Sequence, residues 1–125
     1  MTKKINLIDL SVVILSGGLG TRISENKNKI PKGLVKIGKY PIIYHVIKYF
    51  NFFGLKKFII CTGYKSNDLK KYFKKNKKVF SGLDIELVDT GDKSNTGLRV
   101  KKIKNKIKND IFFLTYCDGL TNLDL

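Results

Sequence analysis

Four short apolar runs recur along the chain, each closed by a polar or glycine-bearing turn, with helix-patterned segments between them. They are residues 10–15 (LSVVIL), 57–61 (KFIIC), 84–88 (DIELV) and 111–116 (IFFLTY). Runs this short, partly β-branched and bounded by turn residues, read as buried strands. Between the first two, Pro41 suits the opening of a helix, Ile43, Val46, Ile47 and Phe50 share one helical face, and Gly54 ends it. Ser66 and Asn67 are candidate caps of a second helix carrying Leu69, Tyr72 and Phe73. Thr96-Gly97 precedes a third, with Val100, Ile103 and Ile107 on one face. The order β-α-β-α-β-α-β predicts a three-layer α/β fold, a mostly parallel sheet with helices on both faces. Residues 1–125 form a single unit in this reading, with no internal repeat and no linker.

Ligands of such sheets sit beyond the carboxyl ends of the strands. Three turn segments fall at that edge: the glycines after the first strand, Asp89-Thr90-Gly91 after the third, and Asp118-Gly119 after the fourth.

The net charge of +15 would suit a polyanionic partner. The excess is nearly all lysine, 23 residues against two arginines, and Lys, Asn and Ile together supply 48 of 125 positions. All three have AT-rich codons, so genome composition accounts for the charge, and the lysine runs at 70–78 and 101–108 read as solvated helix faces. Specific nucleic-acid binding is not expected. Cys61 and Cys117 lack metal-ligand spacing and read as reduced thiols. The opening MTKKINLIDLSVVIL resembles a signal peptide only briefly: Asn6 and Asp9 interrupt it and glycines follow it. No run approaches the length needed to span a bilayer, so a cytoplasmic protein is expected.

The glycine loop reads LSGGLGTR, residues 15–22. It is not a P-loop, which needs Gly-Lys-Ser/Thr, and the dinucleotide fingerprint needs glycine where Ile23 stands. What remains is Gly-Gly-Leu-Gly-Thr-Arg, with Pro31-Lys32 ten residues on. Glycine amides approach an anion closely, Arg22 offers a planar fork, and Lys32 a point charge. A long surface loop is the alternative that spacing alone leaves open.

The loop resembles the signature of the sugar-1-phosphate nucleotidyltransferases. PKGLVKIGKYPIIYHVIKYF (31–50) is similar to that family's Pro-Lys segment and helix. LVDTGDKSNTGLRVKKI (87–103) and FFLTYCDGLTNLDL (112–125) resemble the glucose-1-phosphate cytidylyltransferase branch. The likeness covers nearly all of residues 10–125. Three departures stand out: Leu98 and Cys117 replace glycines of the branch, and residues 79–83 stand where the branch has a longer insertion. They bear on base choice and subunit contacts more than on phosphate chemistry.

The resemblance implies a Rossmann-like sheet of the nucleotide-diphospho-sugar transferase type, incomplete at its C-terminus. It also implies cytidylyl transfer from CTP to a sugar-1-phosphate, glucose-1-phosphate by branch, with Mg²⁺ and release of pyrophosphate. UTP or dTTP chemistry and a non-catalytic nucleotide-binding remnant are the rival readings. By resemblance, Leu15, Ser16, Gly17, Gly18, Leu19, Gly20, Thr21 and Arg22 wrap the nucleotide. Arg22 grips the outer phosphates and Lys32 the phosphates where the sugar phosphate attacks. Ser94, Thr96, Gly97 and Arg99 would read base and ribose, with plain N-capping by Thr96 the plainer alternative. Asp118 would hold Mg²⁺, completing a catalytic set with Arg22 and Lys32. Family members run about twice this length, and their second half carries the sugar site and a second metal carboxylate. The chain therefore reads as the N-terminal, nucleotide-binding half, and an oligomer is compatible with it.

Overall fold

The computed structural model describes residues 4–18 and 30–125. Its element order is β1 (Ser11–Ser16), β2 (Lys36–Ile37), β3 (Tyr40–Pro41), α1 (Ile42–Phe52), β4 (Lys57–Thr62), α2 (Ser66–Lys75), β5 (Asp84–Asp89), α3 (Thr96–Lys102) and β6 (Phe113–Tyr116). Strands β5-β4-β1-β6 form one sheet in that order, and every pairing in it is parallel. The short β2-β3 pair is a separate antiparallel hairpin leading into α1.

The two faces of β1 explain its unbroken apolar run. Val12 and Ile14 join Phe58 and Ile60 of β4 under α1 and α2, which contribute Ile43, Val46, Ile47, Phe50, Leu69 and Phe73. Val13 and Leu15 join Ile59 and Cys61 on the other face, where α3 and its C-terminal turn supply Val100, Ile103 and Ile107. Central strands of a parallel sheet are buried on both sides, so no alternation shows in their sequence. Helices thus lie on both faces, but unequally. The seven-residue α3 stops short of β6, and Leu114 and Tyr116, which pair with Val13 and Leu15, remain exposed.

Local signals decide the element ends. Pro41 is the N-cap of α1 rather than its first turn, and Gly54, at φ +93°, turns the chain after it. Ser66 and Asn67 lie inside the first turn of α2. The residue before them, Lys65, takes left-handed geometry at φ 53°, so neither expected cap serves as one. Asn95, not Thr96, caps α3, its side chain accepting from the Leu98 amide at 2.8 Å. Lys70, Lys71, Lys74 and Lys75 of α2 are all solvent-exposed.

Cys61 and Cys117 belong to opposite faces of the sheet. Burial pushes the Cys61 thiol from 9.0 to about 11, with the Arg99 charge pulling the other way, and burial raises Cys117 too. Both thiols are expected to react slowly with a disulfide reagent near neutral pH and quickly once the chain is unfolded. Stopped-flow absorbance would show it, and fast labelling of the folded chain would contradict it. Since the folded state holds the Cys61 proton more tightly, its contribution to stability is intact below pH 9.0 and is lost as pH rises towards 11.

Candidate active site

Because β1, β4, β5 and β6 are parallel, their carboxyl ends share one edge. Ser16 is level with Thr62, Thr62 with Asp89, and Leu15 with Tyr116. Two clusters of polar side chains occupy this edge, one over β1 and β6, the other over β1, β4 and β5.

In the first, Lys32 begins a short 3-10 turn after Pro31, and its Nζ meets Asp118 Oδ2 at 2.7 Å. Asp118 stands two residues past the end of β6, in a turn closed by the Gly119 amide donating to the Tyr116 carbonyl at 3.0 Å. Each side chain is about a third exposed, so the pair is reachable from solvent. Gly33 lets the turn lie against β1: a Cβ there would come within 2.9 Å of Ser16 Oγ. Ser16 is buried, and its Oγ has no hydrogen-bond partner among the described residues. Burial raises the Cys117 thiol, and the Ser16 hydroxyl partly offsets that rise. Buried hydroxyls are nearly always satisfied, so one with no partner among the described residues, at this sheet edge, suits a polar ligand.

In the second cluster, Arg99 reaches inward from α3 and is only 5% exposed. Its Nη2 donates to the Gly17 carbonyl at 2.9 Å. Its Nη1 donates to Thr90 Oγ1 and the Gly91 carbonyl, both at 2.8 Å, and more weakly to the Thr62 carbonyl at 3.3 Å. Thr90 is fully buried and donates its own hydroxyl to Thr62 O at 2.8 Å. Ser94 Oγ donates to the Thr90 carbonyl, and Lys102 Nζ reaches that carbonyl at 2.8 Å and Ser94 Oγ at 3.2 Å.

This arrangement sorts the residues expected from sequence. Lys32 and Asp118 come together. Leu15 faces the core under α3, so only its backbone serves the edge, where its carbonyl accepts from the Cys117 amide at 3.0 Å. Gly17 is buried with its carbonyl held by Arg99, while Gly18 is exposed with open space around it. Thr96 and Gly97 are exposed at the start of α3, and Ser94 is tied to its own loop. Arg99, expected to read base and ribose, instead has its guanidinium turned into the protein, on carbonyls and a hydroxyl. Leu19, Gly20, Thr21 and Arg22 lie outside the described residues. Sequence reasoning missed Thr62, Gly63 and Lys102. The available signal was Thr62-Gly63 at a strand end, level with Ser16-Gly17.

Among the described residues no three His, Cys, Asp or Glu side chains come together. A single carboxylate reachable from solvent fits Mg²⁺ that arrives on phosphates, since that ion takes one or two carboxylates and completes its shell with phosphate and water. The donor set does not fit a metal held by protein alone. Among the described residues no helix is long and apolar enough to cross a membrane.

A parallel sheet with helices on both faces, its polar side chains gathered at the carboxyl edge, defines the Rossmann-like class. Within that class the chain belongs to the nucleotidyl transferase family, whose sequence profile matches residues 11–120. It is 40% identical to the glucose-1-phosphate cytidylyltransferase of Salmonella typhimurium, over 93% of this chain and 53% of that protein. It is 30% identical to the D-glycero-alpha-D-manno-heptose 1-phosphate guanylyltransferase of Campylobacter jejuni, over 93% of this chain and 51% of that one. Among solved structures, HddC from Yersinia pseudotuberculosis, complexed with GMP-PN, superposes with TM-score 0.75 at 26% identity, covering 87% of this chain and 48% of that one. The chain spans about half the length of the curated relatives it matches.

Proposed function

We propose that this chain supplies the nucleotide site of a sugar-1-phosphate cytidylyltransferase, which joins CTP and glucose-1-phosphate into CDP-glucose and pyrophosphate. The observation that carries the reading is the Lys32–Asp118 pair, 2.7 Å apart and open to solvent at the carboxyl edge. The likeness to cytidylyltransferases supports the choice of base.

In this reading a phosphate oxygen of the sugar phosphate attacks the α-phosphorus of CTP, and pyrophosphate leaves with the bond electrons. Asp118, together with the substrate phosphates, would hold Mg²⁺, which would supply charge neutralisation. Lys32 holds the phosphates at the point of attack, and Arg22 steadies the departing pyrophosphate. Fixed cations matter most where negative charge develops. Amides of the glycine segment from Gly18 onward donate to phosphate. Alignment of the two substrates supplies the rest, since no covalent intermediate is needed.

A guanylyltransferase is the second reading, favoured by the HddC neighbour and the heptose 1-phosphate relatives. Calorimetry of the chain with CTP, UTP and GTP, each with magnesium, separates the two. CTP is expected to bind tightest, and Arg22→Ala to weaken it at unchanged foldedness. Preference for GTP would establish the second reading, and equal heats for Arg22→Ala would remove Arg22 from the site.

A further inference from the structure

We propose that Arg99 is a positioning residue: its guanidinium fixes the peptide at Gly17 and so sets where the nucleotide loop leaves the sheet. Four acceptors converge on that group from three different strand ends, the Gly17 carbonyl after β1, the Thr62 carbonyl of β4, and Thr90 Oγ1 and the Gly91 carbonyl after β5. A buried cation ordinarily pairs with a carboxylate, and Arg99 pairs with none among the described residues. Three carbonyls and a hydroxyl take that place, so three of the four bonds run to main chain and fix backbone. Hydrogen bonds to a charged donor are the stronger kind, which suits a clamp.

Two glycines make room for it. A Cβ on Gly17 would fall 1.9 Å from Arg99 Nη1 and 2.3 Å from Cζ. A Cβ on Gly63 would fall 2.7 Å from Nη1, 2.7 Å from the Gly17 carbonyl and 2.6 Å from the Gly91 carbonyl. Gly17 and Gly63 each follow one of the paired residues Ser16 and Thr62, so two adjacent strand ends are pared back at the same level. The glycine of Gly17 is therefore explained by the arginine packed on it, leaving Gly18 as the first glycine with an open face. The Gly17 carbonyl also accepts from the Tyr64 amide at 3.3 Å, which gives the clamp a backbone reporter.

The inference rests on the reading that residues 17–22 bind triphosphate, and the test keeps the two apart. Arg99→Lys, Thr90→Val and the unaltered chain are titrated with Mg·CTP and with inorganic tripolyphosphate, while exchange of the Tyr64 amide is followed by NMR. Thr90→Val removes one acceptor and leaves the charge, so it serves if Arg99→Lys does not fold. A positioning role predicts equal losses for both probes, roughly tenfold in Arg99→Lys, the size of one lost hydrogen bond to a charged group. It predicts a smaller loss of the same pattern in Thr90→Val, with faster Tyr64 exchange in each. Loss confined to CTP would show that Arg99 reads base or ribose, and unchanged exchange would show that it does not hold Gly17. Either result overturns the proposal. If the unaltered chain binds neither probe, the functional reading fails instead, and Tyr64 exchange still decides whether Arg99 holds the peptide.

Discussion

In buffer free of divalent metal, Asp118→Asn is expected to bind a nucleoside triphosphate more tightly than the unaltered chain, and with magnesium present more weakly. The sign change follows from the pair at the sheet edge. Lys32 Nζ lies 2.7 Å from Asp118 Oδ2, so without metal the carboxylate competes with phosphate for the ammonium. The two side chains are about a third exposed, and partly solvated pairs of this kind are worth about 0.2–1 kcal/mol. The gain on removing the negative charge should therefore be modest, up to about fivefold. With magnesium the balance reverses. On the proposed reading Asp118 would hold the metal and Lys32 the phosphates, each helping the other by dissolving the ion pair. Losing the carboxylate should then cost on the order of tenfold or more. Lys32→Ala should weaken binding under both conditions. Titration calorimetry with chelator and with magnesium reads both signs. A loss for Asp118→Asn under both conditions would mean that the pair is not what the ligand must open.

The parts of the fold that sequence made legible are those where one force dominates. β1 and β4 are buried on both faces, so their residues are apolar without interruption. The face of α1 repeats at helical spacing because one side meets the sheet. β6 was harder. Apolar residues run from Ile111, but strand pairing begins only at Phe113, opposite Val12. Beyond it, Asn109 Nδ2 bonds the Asp9 carbonyl at 2.6 Å in place of ladder pairing. At α3 two capping types, Asn95 and Thr96, stand side by side and only backbone geometry chooses between them, while at α2 the left-handed Lys65 takes the cap position that Ser66 and Asn67 suggest for themselves. At the candidate site, Asp118 is legible because it stands just past a strand end on the ligand edge, and Lys32 through the Pro31-Lys32 pair and the family resemblance that carries it. Arg99 is not. An arginine one turn into a helix gives no sign that it will point inward, and its acceptors are mostly carbonyls, which carry no residue identity. The trace it leaves is indirect, in glycines at 17 and 63.

Gly63→Ala should accordingly be among the most damaging single-methyl changes in the chain. The added carbon meets two carbonyl oxygens at 2.6 and 2.7 Å and the Arg99 guanidinium at 2.7 Å. Real side chains do not sit so close, and two of the three neighbours are backbone that closes β1 and β5, not flexible tips. Overpacking of this kind costs about 1–3 kcal/mol. If the guanidinium is displaced, a buried charge also loses its hydrogen bonds, at about 1.5–3 kcal/mol for a bond to a charged group. Together about 3 kcal/mol or more is at stake, against about 5–15 kcal/mol for a domain. The melting temperature should fall by about 10 °C. Gly18→Ala, one residue past Gly17, where an added Cβ meets no atom of the described residues within 4 Å, should leave it unchanged. The comparison separates a glycine required by packing from one left open towards a ligand. Combining Gly63→Ala with Arg99→Ala adds a second discrimination. If the methyl acts mainly by ejecting Arg99, the double variant should lose less than the two single losses added together. Full additivity would assign the damage to the carbonyls of Gly17 and Gly91 alone. An undisturbed Gly63→Ala melt would mean that the three strand ends are not locked around the guanidinium.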